Sequence, residues 1–206
     1  MNPKFLNLPE EKKMRIINAG MEQFGKFGYK KAVTEDIAAK AGISKGLLFH
    51  YFKDKKTFYM YLYDFCEKLL IKKIRFDELK EIDDFFEVLS YGSTKKLELI
   101  ADYPYLMNFC LKAYFSHKEA ISPEMNERIQ KIVDEGYHLY FQYVDFSRFK
   151  DDVDPQQIYC MMIWMAEGYL LEKQRTGQAL KIEEMVSEFE IWKTMFKKMS
   201  YKEQYL

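Results

Sequence analysis

The sequence predicts an all-α protein, and three observations carry that prediction. Nine glycines and five prolines in 206 residues leave few places for β-turns. Apolar residues return at steps of three and four through most of the chain. The stretch Thr34–Lys55, TEDIAAKAGISKGLLFHYFKDK, reads as two short helices joined by a tight turn. The predicted architecture is a three-helix N-terminal head with a helix-turn-helix, followed by a bundle of about six helices.

The elements follow in order. Met1 to Leu8 reads as a loose arm that carries Lys4 near Phe5. Pro9, Glu10 and Glu11 open a helix, since proline is preset for the first turn and carboxylates favour the positive end of the helix dipole. Met14, Ile17, Met21 and Phe24 form its core stripe, and Gly28 closes it. After a short connection, Thr34 is the expected cap of the next helix, with Ile37, Ala38 and Ala41 on one face. Gly42 ends that helix where the chain must turn left-handed. Ile43 turns inward, and Ser44 caps a helix from Lys45 to Phe52.

Asp54 is the expected cap of a fourth helix, reaching about Lys73 with Phe58, Leu62, Phe65 and Leu69 along one side. Residues 77–84 are polar and read as a connection. Further helices are expected over 83–101, 104–116 and 122–146. A polar loop, 147–154, precedes a helix capped by Asp154 and opened by Pro155, running to Arg175 with Gly177 beyond its end. The last helix is expected over 182–199.

An A-x-x-x-G-I corner also occurs in ordinary bundles, so the second helix of the corner decides its meaning. Its polar side carries Lys45, Gly46, Phe49, His50 and Tyr51. That set suits a helix laid in the major groove of DNA. Lys45 can donate to guanine edges, Gly46 lets the backbone come close, and aromatic rings can meet thymine methyls. His50 and Tyr51 can reach phosphates, as can Lys55 beside the start of the fourth helix.

On these residues the chain resembles the tetracycline-repressor (TetR) family of transcriptional regulators. The resemblance rests on I-I-N-A-G-M-E-Q-F-G-K-F-G-Y at Ile16–Tyr29, T-x-x-D-I-A-x-x-A-G-I-S at Thr34–Ser44, and K-G-L-L-F-H-Y-F-K-D-K at Lys45–Lys55. It covers about Glu10 to Tyr61; beyond about residue 65 only the architecture is shared. Leu47 stands where many members have a small or polar residue, which leaves open whether it touches a base. The resemblance implies a DNA-binding head over residues 1–54 and a ligand-binding and dimerisation part over 55–206. It also implies a double-stranded DNA operator, a small-molecule effector and a homodimer as partners. Thr34, Ser44, Tyr51 and Lys55 would hold phosphates, while Lys45, Gly46, Phe49 and His50 would meet bases or sugar.

Charge agrees. Net charge is zero overall, yet residues 1–60 carry 12 Lys/Arg against 6 Asp/Glu, and the remainder is acidic by the same margin. A basic contact module on an acidic body fits nucleic-acid binding. Cys66, Cys110 and Cys160 form no C-x-x-C pair and read as free thiols of a reducing compartment. With no signal segment and no long uncharged apolar run, the expected location is cytoplasmic, without a membrane partner.

No enzyme, cofactor or metal is expected. His50, His117 and His138 make no metal spacing, and no H-E-x-x-H, G-x-S-x-G or glycine-rich phosphate loop occurs. Asp134 and His138, one turn apart, could be a metal pair or a surface ion pair.

The body carries two further signals. Ile182, Met185, Phe189, Trp192, Phe196 and Met199 step by three and four, and the preceding helix is apolar nearly all round. This predicts a dimer interface including Met165, Tyr169, Phe189, Trp192 and Phe196. The abundance of tyrosine, phenylalanine and methionine (16, 17 and 12) suits an apolar or amphipathic ligand. Leu62, Phe65, Phe86, Met107, Cys110, Tyr137, Phe141, Met162 and Glu167 are candidate contacts. Glu167 could face a ligand, an interface or solvent. The sequence thus predicts a ligand-responsive transcriptional regulator, most simply a repressor. An activator with the same head, or a ligand-binding bundle or enzyme with a vestigial head, are the alternatives.

Overall fold

The computed structural model describes residues 2–115, 120–178 and 181–206. Among them are eleven α-helices and no β-strand. The chain forms two compact units, Met1–Phe76 with Gly92–Asp134, and Asp77–Tyr91 with Glu135–Leu206.

The first unit contains α1 (Pro3–Leu6), α2 (Glu10–Lys31), α3 (Thr34–Lys40), α4 (Lys45–Phe52), α5 (Lys55–Lys73) and α8 (Leu106–Tyr114). Met21 and Phe24 are fully buried on α2, as their spacing predicts. Two glycines on the same helix set its packing. A Cβ on Gly20 would stand 2.6 Å from the Phe58 ring of α5, and one on Gly25 would stand 2.9 Å from the backbone nitrogen of Phe109 on α8. Their missing side chains let α5 and α8 approach α2 closely. Aromatic rings fill the space: Phe24 meets Tyr59 edge-on at 5.0 Å, and Tyr59 meets Phe109 at 5.2 Å.

Four sequence expectations change here. Met1–Leu8 is not a loose arm over its described residues: α1 is capped by Asn2, and Phe5 is fully buried against Phe52 (4.6 Å) and Tyr61 (5.3 Å). An aromatic ring this close to an aromatic core docks rather than waves. Gly28 breaks α2 with φ 75° and ψ 171°, but the chain resumes one more helical turn to Lys31. Val33, not Thr34, precedes α3 as its N-cap; Thr34 is the first helical residue, and its hydroxyl donates to Glu35 Oε2 (3.1 Å). Finally, the helix that starts at the end of α4 is expected from sequence to be the head's one link to the later helices, but α8 also lies along α2 at Gly25.

The second unit contains α6 (Phe76–Leu79, all but its first residue), the start of α7 (Phe85–Asp102), the end of α9 (Ser122–Tyr140), α10 (Pro155–Thr176) and α11 (Ile182–Ser200). The polar stretch 77–84 holds part of α6, and α9 stops at Tyr140 rather than near 146, where a 3-10 turn (Phe146–Arg148) forms instead. The expected helix end at Ser116 and His117 lie outside the described residues.

Asp84 ties this unit together. Its Oδ1 accepts the backbone N–H of Phe86 (2.9 Å) and Glu87 (3.2 Å), capping α7. Its Oδ2 takes Lys197 Nζ of α11 (2.9 Å) and Arg148 Nη1 (3.2 Å). Nearby, the Tyr201 hydroxyl accepts the Phe85 N–H (3.2 Å), and Lys150 and Lys202 donate backbone N–H bonds across the Phe149–Tyr201 bridge. Phe85 stacks on Phe141 at 4.5 Å inside this frame.

Burial opposes the Asp84 charge, but the Lys197 ammonium and the two backbone donors outweigh it, and the carboxyl is held below its ordinary value. A depressed carboxyl stabilises the fold fully above its unfolded value and loses that contribution as pH falls through the folded one. Asp84→Asn should therefore cost about 1–3 kcal/mol at neutral pH. It should also flatten the acid side of the stability curve, below about pH 5. Urea melts of both proteins from neutral to acid pH check it, and parallel curves would contradict it.

Candidate nucleic-acid interface

The head presents α4 beyond a turn that only a left-handed residue completes. Gly42 takes φ 66° with no atom near the place of a Cβ, and Ile43 N–H bonds the Ala38 carbonyl (3.0 Å). Ser44 then caps α4, its Oγ accepting the Leu47 N–H at 3.1 Å. Leu48 and Phe52 are buried, so the helix can turn only its other side outward.

That side carries Lys45, Gly46, Phe49 and His50. Lys45 forms an ion pair with Glu35 of α3 and lies over the Phe49 ring, 5.8 Å from its centre. The Lys45 contact holds the Glu35 carboxyl below its ordinary value. Gly46 is exposed and meets nothing closer than Ser44 Oγ at 4.0 Å. Leu47 is half-buried against the head core, which turns much of it from the outer face.

His50 is held by a residue that the sequence reading passed over. Asn2 N–H bonds the Tyr51 carbonyl (2.7 Å), and Asn2 Nδ2 faces both the His50 carbonyl (3.3 Å) and His50 Nε2 (3.2 Å). Asn2 Oδ1 is taken by the Lys4 N–H, so Nδ2 is the donor to both. The imidazole Nε2 therefore accepts, and the ring's proton sits on Nδ1. The asparagine belongs to no apolar pattern and left no periodic signal; only its place as an N-cap beside Pro3 hinted at a helix.

The remaining candidates lie behind this surface. Tyr51 is buried, its ring 5.6 Å from Phe5, and Thr34 is buried with its hydroxyl on Glu35. Lys55 Nζ donates to the carbonyls of Ala32 (2.7 Å) and Lys30 (3.3 Å) and lies over the Tyr29 ring. It thereby pins α5 to the carbonyl end of α2. Asp54 caps α5 as expected, accepting the Thr57 N–H at 2.7 Å.

Of the body candidates, Leu62, Phe65, Met107 and Cys110 fall in the first unit, and Phe86, Tyr137, Phe141, Met162 and Glu167 in the second. Leu62, Phe86, Phe141 and Met162 are buried, while Tyr137 lies against Phe141 and Tyr159. Burial pushes the Glu167 carboxyl above its ordinary value. Phe189, Trp192 and Phe196 are half-buried, Trp192 meeting Tyr169 edge-on at 5.9 Å. The apolar side chains left exposed are their neighbours: Met161, Trp164 and Leu171 on α10, and Ile191, Met195 and Met199 on α11. Asp134 accepts a bond from Gln130, and no cluster of three potential metal ligands occurs among the described residues. Among the described residues, no helix is long and apolar enough to cross a membrane.

The comparisons with known proteins meet this geometry. The family model of bacterial regulatory proteins of the tetR family matches residues 16–60, the span from α2 to the start of α5. The HTH-type transcriptional regulator RutR of Escherichia coli K12 is 25% identical over 158 residues, 74% of this chain and 70% of RutR. Among solved structures, a TetR-family regulator from Chloroflexus aurantiacus superposes with a TM-score of 0.65 at 19% identity, covering 98% of both chains. The regulator FadR of Bacillus subtilis, solved in complex with stearoyl-CoA, superposes with a TM-score of 0.62 at 18% identity, covering 87% of this chain and 96% of FadR. The helix-turn-helix with its outward Lys45–His50 face lies wholly within the matched residues, so the head of this chain, residues 16–60, is that of the tetR family of bacterial regulatory proteins.

Proposed function

We propose that this chain is a repressor that grips a palindromic operator as a homodimer and is released by a small apolar or amphipathic effector. The observation that carries the reading is the outer face of α4, where Lys45, Gly46, Phe49 and His50 stand clear of the core. Residues 1–54 serve as the DNA-binding head, and 55–206 as the ligand-binding and dimerisation part. As a DNA-binding regulator the protein works in the cytoplasm and catalyses no reaction.

The geometry supports the following roles. Lys45 and Gly46 read base edges, and Phe49 and His50 meet bases or sugar, His50 offering its Nδ1–H as a donor. Ser44 and the N-terminal amides of α5 hold phosphates. Thr34, Tyr51 and Lys55 act from behind: their polar groups or rings are engaged inside the head, and they keep α4 at its angle. Glu35 holds Lys45 in place in the free protein and opposes the phosphate backbone.

Release requires an effector that binds the DNA-free arrangement better, since equal affinity for both would shift nothing. Movement can reach the head through α5 and through α8, which lies on α2 at Gly25. The stearoyl-CoA complex of the similar FadR supports an amphipathic ligand class. The exposed apolar strips of α10 and α11, with Trp164 57% and Met195 53% accessible, support a second copy as their cover.

Lys45→Ala should weaken operator binding by about 1–3 kcal/mol and relax preference at one base pair. Glu35→Gln should strengthen binding to all duplexes alike, because it removes a charge that the phosphates repel. Titrations with operator and random duplex check both. Equal operator affinity for wild type and Lys45→Ala would overturn the placement of α4 in the groove.

For assembly, Trp164→Glu combined with Met195→Glu should yield monomers, because two carboxylates would be desolvated at the interface. Sedimentation of wild type and variant at micromolar concentration decides it. A monomeric wild type, or a double variant that still dimerises, would contradict the assignment.

A further inference from the structure

The far end of α4 is closed by a residue from outside it. The last four carbonyls of a helix have no partner within it. Beyond α4 the chain reverses at Lys53, whose φ is 64°. That turn returns two donors, Lys53 N–H to the Phe49 carbonyl (2.8 Å) and Asp54 N–H to the Phe52 carbonyl (2.6 Å). The carbonyls of His50 and Tyr51 lie between them in sequence, and Asn2 meets both. Its backbone N–H bonds Tyr51 (2.7 Å), and its side-chain Nδ2 bonds His50 (3.3 Å). Three residues on, Phe5 anchors this segment, fully buried with its ring 4.6 Å from that of Phe52.

The Asn2 amide has one workable orientation. Its Oδ1 accepts the Lys4 N–H at 3.0 Å. Its Nδ2 faces the His50 carbonyl and, at 3.2 Å, the His50 Nε2. Turning the amide over would set acceptor against acceptor at the carbonyl and donor against donor at Lys4. The two hydrogens of Nδ2 are therefore held toward His50, and the imidazole proton belongs on Nδ1. That N–H has no partner among the described residues, and His50 is exposed. One ring nitrogen is tied down, and the other is left as a donor.

We propose that Asn2 is a positioning residue for DNA reading, which holds His50 as a hydrogen-bond donor so that this position takes an acceptor, a phosphate oxygen or a base edge, and rejects a donor. This inference rests on the placement of α4 in the groove and assigns the polarity of one of its contacts. A free imidazole exchanges tautomers and samples rotamers. Fixing both in advance leaves less freedom to lose on binding. Guanine, adenine and thymine each show an acceptor in the major groove, whereas cytosine shows only its amine and is the edge excluded.

The test joins a spectrum to a double-mutant cycle. Ring nitrogen-15 resonances of His50, assigned by their loss in His50→Gln, are recorded on the DNA-free protein at about pH 8, where an ordinary imidazole is neutral. Wild type should carry the ring proton on Nδ1. Asn2→Asp keeps an oxygen for the Lys4 N–H but brings no hydrogen to the ring, so it should move the proton to Nε2. Binding is read with the duplex that wild type enriches most from a random pool. Asn2→Ala should weaken it about five- to tenfold. In a His50→Gln background the same substitution should cost about twofold or less, because the ring it positions is gone. A loss that relaxes preference at one base pair identifies a base acceptor, and an equal loss on all duplexes identifies a phosphate. Equal losses in both backgrounds would reduce Asn2 to a structural cap and overturn the proposal, as would a wild-type ring protonated on Nε2. Either result, with Lys45→Ala still weakening operator binding, leaves the groove placement standing. Enrichment of no duplex by wild type would overturn the groove placement and this inference together.

Discussion

The close approach of α2 to its two neighbours is the constraint on which the rest of the structure depends. Gly20 admits the Phe58 ring and Gly25 admits the backbone of α8, each at a distance no side chain would allow. Helix α2 is thereby fixed against α5 and α8 at once. Lys40 of α3 pairs with Glu22 of α2, and Lys55 of α5 caps the end of α2. The angle of the turn at Gly42, and so the outward face of α4, follows from where α2 lies. Interiors packed this closely shift between discrete arrangements rather than deform smoothly. On the proposed reading, a displacement of α5 or α8 would be passed to α4 instead of being absorbed.

The same economy appears at both ends of α4. Ser44 supplies its cap, and α1 seals its far end, with Phe5 buried and Asn2 directing His50. The outward residues of α4 are thus supported from behind by residues packed inside the head. Tyr51 and Lys55 belong to that support, although their polar tips look from sequence like phosphate ligands. In the second unit, Asp84 gathers Arg148, Lys197 and the start of α7 into one knot, with every oxygen of its carboxylate engaged. Buried charge is tolerated there because each lone pair is used.

What the sequence made legible was periodic or conformational. Helix starts at Ser44, Asp54 and Asp154 follow from short side chains that cap, and the stripe of α2 follows from its spacing. Thr34 misled because a hydroxyl before a helical run resembles a cap, while its actual partner is the adjacent Glu35. The N-terminal segment misled because burial of a single ring, Phe5, leaves no repeat to detect. On α11, the three-and-four seam is half-buried at Phe189, Trp192 and Phe196 but exposed at Met199, and Ile191 and Met195 stand exposed beside it. Periodicity locates an apolar face but does not say which neighbour covers it.

The central claim is that two copies of the α4 surface read DNA together. Selection of duplexes from a random pool by the purified full chain tests it most directly. The account predicts enrichment of a palindrome whose half-site centres lie about one helical turn apart, or a multiple of it. Enrichment of no sequence over the starting pool, or of an isolated half-site alone, would contradict it.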